Sequence, residues 1–296
     1  MLDRRQIIVV LPLGLAGSAA LAQQLLAAHE PATGKLAAAI EAAEASIGGR
    51  IGFAVAGAGL RFSHRGDERF PMASTFKMLL VAAILERIDR RTERLDRAIP
   101  VQPTDILGNS PVSEKHIGST ATVAQLCEAA IIYSDNTAAN LLLPVVGGPA
   151  GLTAFLRRTG DRVTRLDRYE PMLNEAILGD PRDTTSPNAI AATWTTLLLG
   201  NALSPASRNQ LTGWLVANTT GGARLRAGLP KNWRVGDKTG TGANNSVNDI
   251  AIVWPSPRAE PPVVIASLMT AGTAPLDRLN QTHSDLARAV ATTISG

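Results

Sequence analysis

The chain has 296 residues, enough for one large domain or two modest ones, and 45% hydrophobic against 18% charged content excludes a largely disordered polymer. The single cysteine, Cys127, excludes an intramolecular disulfide and a multi-cysteine metal site, and the four histidines (His29, His64, His116, His283) are scattered without metal-ligand spacing. The net charge is only +4, the many Arg are interleaved with acids, and aromatics are 4%, which argues against a nucleic-acid surface.

Residues 1–22 read as a secretory signal. Arg4 and Arg5 open it, an apolar run over 7–15 is interrupted by Pro12 and Gly14, and Ala20-Leu21-Ala22 supplies the small-x-small cleavage pattern. The run is shorter than the roughly 20 residues that span a bilayer, so cleavage is expected and the mature chain starts at Gln23. Arg4-Arg5 also resembles a twin-arginine export signal. Next, residues 35–47 are Ala-rich with helical spacing and stop at Gly48-Gly49. Residues 50–56 and 60–64 read as a hairpin turning at 57–59.

From Ser74 to about Gly222 helices dominate, at 75–89, 122–134, 136–146, 151–159, 187–199 and 207–218. Cys127 falls in an apolar helical stretch and is expected to be a buried structural thiol. Residues 86–97 mix Arg with Glu and Asp, as in a solvated, salt-bridged helix end. Strands resume at 233–239, 248–254 and 262–270, and a helix over 283–294 closes the chain. The economical assembly is α+β. The first hairpin joins the last three strands in one antiparallel sheet, the terminal helices cover it, and the middle forms an all-helical lobe. Residues 23–70 and 223–296 then make an α/β lobe, and 71–222 a helical lobe, of a single unit.

Three short motifs stand at predicted element ends. In Ser74-Thr75-Phe76-Lys77 the helical i, i+3 spacing sets an amine beside a hydroxyl, and a serine needs such a base to become a nucleophile. Ser134-Asp135-Asn136 joins two predicted helices, where an N-cap would also account for it. Lys238-Thr239-Gly240 ends a strand, where an edge-strand turn would also account for it. Each motif alone is weak; the three together, once each and in this order, match the combination associated with penicillin-binding proteins and class A β-lactamases. A fourth element, Arg168-Tyr169-Glu170-Pro171-Met172-Leu173-Asn174, is similar to the family's Glu-x-x-Leu-Asn motif on an Ω-shaped loop, and Asp183 matches the partner of the Arg168 position.

The chain therefore resembles a class A serine β-lactamase. The resemblance implies a three-layer α/β/α sandwich around a five-stranded antiparallel sheet, with an all-helical lobe, and hydrolysis of penicillins and cephalosporins through an acyl-serine. It implies Ser74 as nucleophile, Lys77 or Glu170 as the base for acylation, and Ser134 with Lys238 as the route to the leaving nitrogen. Backbone N–H groups of Ser74 and Thr241, the latter flanked by Gly240 and Gly242, would hold the oxyanion. Asn136 would bind the acylamino side chain; Lys238, Thr239, Thr241 and Arg224 the ring carboxylate; Glu170 with Asn174 the deacylating water. No cofactor, metal, nucleic acid or stable membrane anchor is implied, and a periplasmic or secreted monomer is expected.

Two departures from the family pattern stand out. Many members carry an aromatic residue two positions before the proline represented here by Pro111; this chain has Asn109, so an aromatic contact with bulky substrate side chains is not expected from this position. The disulfide of a carbapenem-hydrolysing subgroup would join the positions occupied by Ala73 and Gly242. A DD-peptidase would share the three core motifs without the Glu170–Asn174 pair, and a β-lactam sensor would acylate once and stay acylated.

Overall fold

The computed structural model describes residues 33–256 and 261–295. The export segment read at 1–22 lies outside them. In chain order the elements are α1 (33–47), β1 (Arg50–Gly57), β2 (Leu60–His64), β3 (Phe70–Pro71), α2 (Phe76–Asp89), β4 (Ala98–Val101), β5 (Ser119–Thr122), α3 (Val123–Ile132), α4 (Asn136–Leu142), α5 (Gly148–Arg158), β6 (Thr184–Thr185), α6 (Pro187–Leu198), α7 (Pro205–Val216), α8 (Leu225–Gly228), β7 (Arg234–Gly242), β8 (Ser246–Trp254), β9 (Val263–Thr270) and α9 (Leu276–Ser295).

The main sheet has the order β2-β1-β9-β8-β7 and is antiparallel throughout. Its central strands are buried on both faces, so they read as continuous Val/Ile runs rather than alternating ones. Successive side chains still point to opposite sides. Val263 and Ile265 of β9 join Leu36, Ile40, Leu286 and Val290 of the terminal helices in one core. Val264, Ala266 and Leu268 join Ile190 and Trp194 of α6 and the helical lobe in the other. The sheet is thus the middle of three layers, as expected.

The lobe is organised by α2. Every residue from Phe76 to Leu85 is buried, Lys77 included, so this helix is apolar all round and sits at the lobe's centre. Side-chain caps set the neighbouring helices: Asp135 caps α4, Ser186 caps α6 and Ser204 caps α7. Cys127 is buried in α3, and burial raises its thiol pKa, as suits a structural residue. The charged run at 86–97 is laced by Arg90–Glu86 and Arg97–Glu93 ion pairs. No single described helix is long and apolar enough to cross a membrane.

Several boundaries differ from the sequence reading. The closing helix begins at Leu276, seven residues before His283. Its first turns carry few apolar residues, and buried Thr282, His283 and Ser284 hide the periodicity. β7 runs on through Gly242 instead of ending near Thr239, because its edge pairs with β8 as far as Gly242↔Ser246. Ser74 precedes the helix, in a 3₁₀ turn over Ala73–Thr75. The two-stranded ladders β3–β6 and β4–β5 were not foreseen; each strand is only two to four residues long.

Candidate active site

The turn that carries Ser74 is held from below. Met72 O accepts from Thr75 Oγ1 at 2.8 Å and from Asn248 Nδ2 at 3.1 Å. Ser74 Oγ, half-buried, donates to Glu170 Oε1 at 3.4 Å. One turn on, Lys77 Nζ is fully buried and donates to Ser134 O at 2.7 Å, Asn136 Oδ1 at 2.6 Å and Ser134 Oγ at 3.4 Å. It also lies 3.2 Å from Glu170 Oε1. Burial pushes the Lys77 pKa down, while Glu170 opposes the shift. Lys77 reaches the site as its i, i+3 spacing predicts, but its hydrogen bonds go to the Ser134-Asp135-Asn136 segment.

That segment is fixed by its middle residue. The Asp135 carboxylate accepts from Val112 N, Ser113 N, Ser113 Oγ and Ala138 N, all within 3.0 Å. With Asp135 turned inward as an N-cap, Ser134, at φ 57°, and Asn136 on either side face the cleft. The cap and the motif are therefore one feature.

Along β7 the side chains alternate. Lys238 Nζ is fully buried and donates to Ser134 Oγ at 3.0 Å and Thr239 O at 2.9 Å. Burial, helped by the Lys77 charge, pushes its pKa down to about 7. The next residue on that face is Gly240. A Cβ there would lie 2.6 Å from Met72 O and 3.2 Å from Ser74 N, so only glycine lets the strand pass this close to the turn. Thr239 Oγ1 shares a hydrogen bond with Thr220 Oγ1 at 2.5 Å.

Arg224 is 7% exposed and lies behind Thr241. Its guanidinium donates to Gly240 O, Asn248 O, Asn280 Oδ1 and, at 2.7 Å, Thr241 Oγ1. Because Thr241 Oγ1 accepts from Arg224, its own proton is left to donate outward. A Cβ on Gly242 would lie 3.6 Å from Ala73 Cβ, so these two positions are neighbours as expected.

The loop bearing Glu170 is tied at its base. Arg168 Nε donates to Asp183 Oδ2 at 2.6 Å, and Asp183 Oδ1 accepts the backbone N–H groups of Asp167 and Arg168. Glu170 is 4% exposed. Its Oε2 accepts a short hydrogen bond from Asn174 Nδ2, and Asn174 Oδ1 is buried without a protein partner. Asn140 and Asn248 were missed in the sequence. Asn140 exchanges two hydrogen bonds with the Glu170 backbone, and Asn248 pins the turn below Ser74. Both are Asn inside regular elements that disfavour Asn, a signal that was available. Among the described residues no cluster of His, Cys, Asp and Glu could hold a metal ion.

The structure brings Ser74, Lys77, Ser134, Asn136, Glu170, Asn174 and Lys238 together in one hydrogen-bonded cluster, with Gly240 of β7 against the Ser74 turn, and sets Arg224 behind Thr241. A profile of the beta-lactamase enzyme family matches residues 35–294. The chain is 48% identical to beta-lactamase L2 of Stenotrophomonas maltophilia over 277 residues, covering 90% of this chain and 91% of that one. The structure of the last common ancestor of Gram-negative class A β-lactamases superposes with a TM-score of 0.85 at 57% identity, covering 87% of this chain and 98% of that one. A β-lactamase of Xanthomonas campestris gives 0.87 at 46% identity, covering 90% and 99%. By sequence, fold and convergent site, the chain belongs to the β-lactamase family, as a member of class A.

Proposed function

We infer that this protein hydrolyses the β-lactam ring of penicillins and cephalosporins by acyl transfer to Ser74 and then to water, and so confers resistance to these antibiotics. Supporting this is the unbroken chain Ser74–Glu170–Lys77–Ser134–Lys238, which links a nucleophile to two proton routes. Ser74 Oγ attacks the lactam carbonyl carbon. Its proton passes to Glu170, the acceptor of its hydrogen bond. Lys77 is a poorer acceptor here, because its N–H groups are directed at Ser134 O, Asn136 Oδ1 and Glu170. The oxyanion is held by the N–H groups of Ser74 and Thr241. As the C–N bond breaks, Ser134 Oγ gives its proton to the nitrogen and is resupplied by Lys77, which takes the proton held by Glu170 and leaves it a carboxylate again, while Lys238 holds the hydroxyl from the other side.

The ring carboxylate meets Lys238, Thr239 and the outward proton of Thr241, with Arg224 acting through Thr241. Asn136 binds the acylamino group. Glu170 and the free Asn174 Oδ1 hold the water that attacks the ester, and Glu170 takes that water's proton. The protein is exported, is cleaved after Ala22 and works in the periplasm or outside the cell; residues 1–22, with their basic start and Ala-x-Ala end, support this.

Residues 23–296 mixed with a chromogenic cephalosporin are expected to release many products per enzyme. A burst of one equivalent followed by a plateau would instead mark a peptidase or sensor. Glu170→Gln is expected to acylate more slowly, with Lys77 left as the base, and, having lost the base for deacylation, to accumulate an adduct visible in the intact mass; steady turnover by that variant would overturn its assignment.

A further inference from the structure

Asn109 stands where many relatives of this chain carry an aromatic rim residue, and its side chain does something else. Its Nδ2 donates to Ser134 O at 3.0 Å, and its own carbonyl accepts from Asn136 N at 3.0 Å. The residue thus grips the Ser134-Asp135-Asn136 segment at both ends. The preceding Gly108 O accepts from Asn136 Nδ2 at 2.8 Å. Ser134 O is also the acceptor of Lys77 Nζ at 2.7 Å, so the two donors use both lone pairs of one carbonyl. The amide orientation follows from chemistry, since an oxygen in place of Nδ2 would face the carbonyl oxygen.

Both residues hold left-handed backbone, Asn109 at φ 59° and Ser134 at φ 57°. Asn adopts that region at small cost, an aromatic side chain at more. Ser134 has no such ease, and its peptide needs external restraint. Its hydroxyl must sit between Lys238 Nζ at 3.0 Å and Lys77 Nζ at 3.4 Å.

We propose that Asn109 is a positioning residue for proton delivery through Ser134: it locks the Ser134 peptide so that the hydroxyl stays between the two lysines. This rests on the proton-delivery role of Ser134 given above. A rim contact would act through the substrate's side chain; this grip acts on every substrate alike, and on acylation alone.

The test uses Asn109→Gly, which keeps the left-handed backbone and removes the donor, and Asn109→Asp, which keeps the shape and replaces the donor by an acceptor. Acylation and deacylation rate constants are measured by rapid mixing for 6-aminopenicillanic acid, which lacks an acyl side chain, and for a penicillin with a bulky one. Both variants are expected to slow acylation about tenfold with both substrates, the size of one lost hydrogen bond at a reacting group, and to leave deacylation within about twofold. Loss confined to the bulky penicillin, or no loss in either folded variant, overturns the proposal. Ser134→Ala separates the two readings. If it acylates at the parent rate, the Ser134 role fails and the proposal with it. If it is slow while Asn109→Gly is not, the proposal alone fails.

Discussion

Gly240→Ala tests whether the approach of β7 to the Ser74 turn creates the catalytic site. An added Cβ would meet Met72 O at 2.6 Å, Thr75 Cγ2 at 3.1 Å and Ser74 N at 3.2 Å, where ordinary contact starts at 3.4 Å. The turn cannot yield, because Met72 O is already held by Thr75 Oγ1 and Asn248 Nδ2. The strand must therefore withdraw by ~0.8 Å, the shortfall at Met72 O. Thr241, the next residue, withdraws with it. Losing one well-placed oxyanion donor costs about 100- to 1,000-fold in kcat, and overpacking costs about 1–3 kcal/mol of stability. We expect kcat for a chromogenic cephalosporin to fall at least about 100-fold, with a lowered Tm. Gly213→Ala in α7 is the control. A Cβ there meets nothing within 4 Å, so activity should be unchanged and stability should rise by about 1 kcal/mol. A folded Gly240→Ala variant with kcat within threefold of the parent, by roughly the precision of such assays, would refute the reasoning.

Asp183→Asn replaces an almost fully buried carboxylate that accepts two backbone N–H groups and pairs with Arg168, at a cost of about 2–4 kcal/mol. We expect faster hydrogen exchange across 165–183 and slower deacylation; unchanged exchange there would contradict the tether. Lys238, with its pKa near 7, loses its cation above neutrality, so kcat/KM should fall through an alkaline limb with an apparent pKa close to 7. Lys238→Arg should flatten that limb, and a flat parent profile from about pH 6 to 9 would count against it. His283 is buried neutral between Ser267 Oγ and Val247 O, its pKa pushed down to about 3. The unfolded chain takes up this proton near pH 6.5, so stability present above that pH is lost as pH falls toward 3. The loss at pH 5 is about 2 kcal/mol. Urea unfolding should show His283→Gln losing correspondingly less between pH 7 and 5, and equal losses would exclude this linkage.

Local chemistry made much of the molecule legible. The hairpin of β1 and β2 is bounded by its own turn residues, the apolar run after Ser74 announces a buried helix, and Asp135 is an N-cap by residue type. The motifs were readable because each depends on near neighbours: i, i+3 on a helix, a cap between two helices, a strand end. What escaped was non-local. The early start of α9 was hidden because polar His283 is buried, against Ser267 and Val247 of two strands. The length of β7 depends on pairing with β8. That Lys77 turns to Ser134 and Asn136, that Arg224 sits behind Thr241, and that Asn109 grips Ser134 all follow from segments tens of residues apart meeting at one cleft. The sequence by itself determined which groups are present and which elements carry them. Only the tertiary structure decided which group faces which, because hydrogen-bond partners and desolvation are properties of the assembled cleft, not of any stretch of chain.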